Sequence, residues 1–216
     1  MNGNFVWRDA GRVVVFRDSG VQDATQLLAE HGMEPFELLS TPRHLARAGA
    51  LASSASAVHE LPAAATPASG VTAAAAELLD IATGQNLVAL GGGRTIDTAK
   101  AIAAVTGAGV AAIPTTMSGA EMTGIHRLPA GVENRVRAMV RPALVIAEPD
   151  AMTSAPEPEL RASSMNALAH GADSLYTPFA NPVSRMTALR GAELIATSLD
   201  EAPAERNRAE IGRAHV

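Results

Sequence analysis

Residues 87–100, Leu87-Val88-Ala89-Leu90-Gly91-Gly92-Gly93-Arg94-Thr95-Ile96-Asp97-Thr98-Ala99-Lys100, constrain the fold more than any other stretch. Four apolar residues in a row, without alternation, suit a strand covered on both faces, as in a parallel sheet. Gly91, Gly92 and Gly93 follow at once. Glycines can take positive φ and carry no side chain, so another group can approach the backbone closely. The helix expected next points free N–H groups and the positive end of its dipole into the turn. A strand, glycine turn and helix joined this way form an anion site, most often for nucleotide phosphates, or serve only as a tight connection. Asp97 complements the dipole and can accept a hydrogen bond from a ribose or nicotinamide group.

The surrounding pattern predicts an α/β layered domain. Strand material runs from Phe5 to Phe16 around a turn at Asp9-Ala10-Gly11, and again over 36–40, 57–61, 110–113 and 143–147. Helices are expected over 21–31, closed by Gly32, over 71–83, and from the glycine turn to about Thr106. Residues 44–53 are weakly helical, and 62–70 are an alanine, proline and serine loop. Strands separated by helices imply a mainly parallel sheet, whose ligands sit at the carboxyl ends of the strands. After Glu148-Pro149-Asp150 the pattern is helical only, so the α/β domain is expected to span 1–150 and a helical domain 151–209.

Composition removes several classes of function. The chain has 216 residues, 47% hydrophobic but only 3% aromatic, and much of the apolar content is alanine, which favours closely packed helices. A net charge of −5 without a basic stripe argues against a nucleic-acid partner. The absence of cysteine excludes disulfides, thiolate zinc sites and cysteine nucleophiles. No apolar run approaches the ~18–20 residues that span a membrane. Residues 1–5 lack the pattern of a secretory signal, and the expected location is the cytoplasm.

Two further motifs carry chemistry. Ile113-Pro114-Thr115-Thr116-Met117-Ser118-Gly119-Ala120-Glu121-Met122-Thr123 leaves a strand on the same edge as the glycine turn. Its hydroxyls can donate and accept, which suits phosphate, ribose and carboxamide groups. In Ser163-Ser164-Met165-Asn166-Ala167-Leu168-Ala169-His170-Gly171-Ala172-Asp173, helical spacing places Ser163, Asn166, His170 and Asp173 along one face. Such a face can orient a substrate or hold a metal, with Asp173 fixing the His170 ring, or it is simply the polar side of a packed helix.

From about Val13 to Leu199, the three motifs in this order resemble the iron-type alcohol dehydrogenase superfamily, and most closely its maleylacetate reductase branch. The resemblance implies a dehydroquinate synthase-like fold, with a Rossmann-like NAD(P)-binding domain followed by a helical domain. It implies hydride transfer between nicotinamide, as NAD or NADP, and a small carbonyl or alcohol substrate. Gly91, Gly92, Gly93 and Asp97 would hold the cofactor, with Thr115, Thr116 and Ser118 across the cleft. His170 and Asn166 would face the substrate. Metal-dependent members bind Fe²⁺ or Zn²⁺ through an aspartate and a histidine, which correspond to Asn166 and His170. A neutral amide is the poorer ligand for a divalent cation. The Thr116 to Glu121 spacing also points to the maleylacetate reductase branch, whose members need no metal; a metal-dependent alcohol dehydrogenase is the alternative. Ala120 stands where the family has serine. Ser40, Thr41 and Arg43 fall near the family's adenosine ribose or cap the next helix, and a cofactor-contacting lysine of the family falls near Arg135 or Arg137.

The same resemblance implies a longer helical domain and, in the full-length parent, a homodimer. The chain is therefore expected to be a C-terminally truncated form, with apolar helix faces left uncovered. Residues 210–216 read as a non-native tail, similar to a translated sequencing adapter, so His215 is not counted as a ligand. A truncated nucleotide-binding module without catalysis is the reading from another class.

Overall fold

The computed structural model describes residues 5–9, 11–62, 67–80, 85–124, 126–132 and 139–200. Seven strands form one sheet in the order β1-β2-β7-β6-β5-β3-β4. These are β1 (Phe5–Asp9), β2 (Arg12–Phe16), β3 (Phe36–Ser40), β4 (Ala57–Glu60), β5 (Asn86–Gly91), β6 (Val110–Pro114) and β7 (Leu144–Ala147). β1 and β2 pair as an antiparallel hairpin, and every other pairing is parallel. The turn at Gly11, with φ +84°, makes the hairpin possible, because residues with a side chain rarely adopt that conformation.

Helices cover both faces of the sheet, as the unbroken apolar strands require. Along β5, Val88 and Leu90 point to one face, where they meet Leu27 and Leu28 of α1 (Ala24–Glu30) and Leu51 of α3 (Ala50–Ser54). Leu87 and Ala89 point to the other, against α4 (Pro67–Leu78) and α5 (Gly93–Thr106). The alternation follows from the two-residue period of a strand. Ala74 and Ala75 of α4 and Ala99 and Ala103 of α5 are all buried there. The alanine-rich composition thus sits where helix backbones must lie close to the sheet and to each other. β4, at the edge, alternates between half-buried and exposed positions.

Several boundaries differ from the sequence reading. Residues 44–53 are two short helices, α2 (Pro42–Leu45) and α3, parted at Gly49, whose φ of +48° interrupts the helical backbone. The loop expected over 62–70 gives way to α4 from Pro67, since proline is well suited to a first helical turn.

After β7 the chain is helical, through α6 (Pro149–Met152), α7 (Glu157–Tyr176) and α8 (Pro182–Asp200). Asn181 caps α8, its Oδ1 accepting from the N–H groups of Val183 and Ser184 at 3.1 Å each. Phe16, Met117, Ala147, Met152 and Leu160 form a small core that fastens the start of α7 to the sheet. α7 and α8 pack on each other, but the apolar side chains Val183, Met186 and Leu189 of α8 are exposed. Ile195 and Ser198 are its buried positions. The outer face has no described element against it, in keeping with the uncovered faces expected from the sequence. No described helix is long and apolar enough to cross a membrane.

Candidate active site at the glycine turn

β5 ends at Gly91 and α5 begins at Gly93, so one residue, Gly92, makes the turn. Gly92 has φ −78°, and none of the three glycines is in the left-handed region. The positive φ expected of them is not used; space is the constraint. A Cβ on Gly93 would lie 2.8 Å from Ser118 Oγ and one on Gly92 would lie 3.0 Å from Thr116 Cγ2. The glycines let the hydroxyl loop after β6 lie directly against the N-terminus of α5. No side chain caps that N-terminus, so its first N–H groups are left for a ligand.

A cleft of about 740 Å³ opens here at the carboxyl ends of β3, β5 and β6. Gly92, Gly93, Thr115, Thr116 and Ser118 all line it. Thr41, which follows β3, and Arg43 and His44 of α2 line it too, as does Arg94. Gly91 and Asp97 do not. Gly91 is buried against Thr95. Asp97 accepts from Lys100 Nζ at 2.8 Å, an ammonium that is itself fully buried and also donates to the carbonyl of Ala120 at 2.8 Å. Lys100 thereby ties α5 to the hydroxyl loop. Burial lowers its pKa, while the hydrogen bond and charge of Asp97 and the charge of Glu121 oppose that shift.

A smaller cavity of about 230 Å³ continues the cleft, sharing Thr115 and His44 and reaching Glu148 and Arg47. The Glu148 carboxylate accepts from the N–H of Val21 at 2.6 Å. Burial raises its pKa despite that bond. Burial, then the charges of Arg43 and Arg47, lower that of His44, whose Nδ1 lies 3.0 Å from Thr41 Oγ1.

α7 reaches the cleft wall through its first three turns. Ser163 Oγ accepts from the Met117 N–H at 2.6 Å, and Asn166 Nδ2 donates to the carbonyl of Ser118 at 3.4 Å. Asn166 is therefore brought to the hydroxyl loop. His170, one turn on, is exposed and does not line the cleft. Asp173 does not orient the His170 ring; it accepts from the Tyr176 hydroxyl, three residues further along the helix. Arg43 anchors the start of α7, donating to the Ser154 carbonyl at 2.7 Å and lying 3.9 Å from Glu159. Arg135 and Arg137, and residues 201–216 with the expected tail, lie outside the described residues.

The donors fit a dinucleotide better than a metal. Thr115 is 3% exposed, and its Oγ1 has no hydrogen-bond partner at the cleft wall. Arg94 Nη1 is likewise buried and unpartnered. Both await acceptors, which phosphate and ribose oxygens supply. For Fe²⁺ or Zn²⁺, Asn166 and His170 offer one neutral amide and one imidazole, and no group of three or more His, Asp or Glu able to hold a metal occurs among the described residues. Arg94, Lys100 and His44 were not singled out by the motifs. Arg94 stood inside the quoted stretch, and the signal was its place directly after the glycines at a helix start.

Residues 15–156 match the family described as iron-containing alcohol dehydrogenase. Maleylacetate reductase 2 of Cupriavidus pinatubonensis is 39% identical over 135 residues, 62% of this chain and 37% of that protein. Maleylacetate reductase of a Rhizobium species is 33% identical over 196 residues, 87% of this chain and 55% of that protein. The crystal structure of maleylacetate reductase from Agrobacterium tumefaciens superposes with a TM-score of 0.76 at 30% identity, covering 98% of this chain and 63% of that one. The chain thus spans from about a third to under two thirds of the length of these relatives. With a glycine-turn cleft of this form and a family match across most of its length, the chain belongs to the iron-containing alcohol dehydrogenase family.

Proposed function

We propose that this chain forms the cofactor-binding part, with the first helices of the substrate-binding part, of an NAD(P)-dependent reductase of the maleylacetate reductase kind. Its substrate is a small unsaturated or keto acid. The observation that carries this reading is the uncapped N-terminus of α5, set by Gly92 and Gly93 against Thr116 and Ser118. In this reading the α5 N-terminus holds the diphosphate, and Thr115, Thr116 and Ser118 hydrogen-bond the remaining polar groups of the dinucleotide. Asp97 serves the site through Lys100 and the loop rather than by touching the cofactor. The nicotinamide supplies the hydride. Asn166 orients the substrate carbonyl, and His170 relays a proton to it from the exposed face of α7. The two units divide near residue 150. The maleylacetate reductases among the relatives favour this reading over a metal-dependent alcohol dehydrogenase.

The test is oxidation of NADH or NADPH on addition of maleylacetate, with and without a chelator. The expected result is turnover that survives chelation and falls roughly 10²- to 10⁴-fold in His170→Ala, the range for loss of a general acid. Turnover abolished by chelation and restored by Fe²⁺ or Zn²⁺ contradicts it. Cofactor binding with no carbonyl turnover leaves the reading of a non-catalytic nucleotide-binding module.

A further inference from the structure

Arg94 is the second residue of α5, after Gly92 at the cap and Gly93 at the first position. It lines the cleft at the carboxyl end of β5. Its neighbour across the cleft, Arg43, is committed to Ser154 and Glu159. The Arg94 guanidinium makes no ion pair or hydrogen bond with any described residue, and its Nη1 is closed off from solvent without an acceptor. Burial lowers its pKa, and no acid acts in the other direction. Thr115, at the end of β6, is 3% exposed, faces the same cleft and has an equally unpartnered Oγ1. Folded proteins seldom leave such groups buried without acceptors. Here Arg94, Thr115 and an uncapped helix N-terminus line one cleft. An anion with several oxygens satisfies all three. Glu159, the one acid among the described residues lining the cleft, does not fill it, because it lies beside Arg43.

We propose that Arg94 is a phosphate ligand, its guanidinium closing over a phosphate of the dinucleotide seated on the N-terminus of α5. The inference rests on the proposed cofactor site. The phosphate is one of the diphosphate bridge, common to NADH and NADPH. The chemistry is shared: a planar fork donating two N–H groups to phosphate oxygens.

The experiment is titration of the protein and of Arg94→Gln with NADH and with NADPH by nucleotide fluorescence, with thermal melts to establish that both are folded. Arg94→Gln weakens binding by about 10- to 100-fold, the size of a charge-assisted hydrogen bond. The difference shrinks as salt is raised. A loss equal for the two nucleotides supports the assignment and places Arg94 on the diphosphate. A loss confined to NADPH overturns it, because Arg94 would then meet the 2′-phosphate and not the diphosphate on α5. Arg94→Lys keeps the charge without the fork and recovers part of the affinity for both nucleotides, which also serves if the glutamine variant folds poorly. Unchanged affinity in Arg94→Gln, with wild-type binding intact, overturns the Arg94 assignment and leaves the cofactor site standing. Failure of the folded wild-type protein to bind either nucleotide overturns both.

Discussion

Single residues at this site work by being buried in charged or polar form beside chosen partners. Lys100 is fully buried, yet its two hydrogen bonds and the nearby Glu121 keep an ammonium inside the fold. His126, 9% exposed, lies within reach of that charge. Burial first, then Lys100, lowers its pKa below 6.5, while the nearby backbone of Arg127 and the charge of Asp97 act against the shift. The unfolded chain therefore takes up a proton at His126 before the folded one does. Its contribution to stability is present above pH 6.5 and is lost as the pH falls from there toward the folded-state value. His44, shifted the same way, adds to the slope. Urea unfolding of the wild type and of His126→Gln between pH 5 and 8 checks this. The wild type should lose stability more steeply below pH 6.5 than the variant, and parallel pH profiles would refute the assignment.

At the level of elements, the site is a strand end, a helix start and a loop held in contact. Three devices hold them: glycine in place of side chains, Lys100 as a bridge, and Ser163 accepting from the loop. A Cβ on Gly93 would lie 2.8 Å from Ser118 Oγ and 2.9 Å from Ser118 Cβ. Gly93→Ala should therefore cost about 1–3 kcal/mol by overpacking, more than the ~0.5–1 kcal/mol that alanine gains over glycine in a helix. Adding Ser118→Gly should recover most of the loss. Single and double variants of equal stability in denaturant melts would mean that the loop does not press on α5. These elements were legible in the sequence because each carries a strong local signal: an apolar run, a glycine cluster, a proline after a strand. The conformation of the glycines was not legible, because close approach and positive φ ask for the same residue. The partner of Asp173 was not legible either, since Tyr176 and His170 are both three residues away and only the rotamers separate them.

Across the whole molecule, a parallel sheet covered on both faces brings residues from five stretches, far apart in sequence, to one edge. Thr41, Gly92, Thr116, Glu148 and Asn166 come from the ends of β3, β5, β6 and β7 and from α7. The order of elements and the parallel sheet follow from the alternation of strand and helix patterns. The burial of α8 does not, because an amphipathic pattern states which face seeks cover and not what supplies it. Val183, Met186 and Leu189 remain exposed among the described residues, and His170 stands on the same open helical layer. The cofactor half of the site is thus the more fully built, and it is where the account is most directly tested. The measurement is NADH and NADPH binding to this chain, beside Gly92→Asp, with folding of both established by circular dichroism. Gly92→Asp adds a side chain 3.0 Å from Thr116 and a negative charge at the helix N-terminus. The account predicts micromolar binding by the wild type, about −8 kcal/mol, and a loss of at least about tenfold in the variant. Equal binding by the two folded proteins would contradict it, because the dinucleotide would then lie away from the glycine turn.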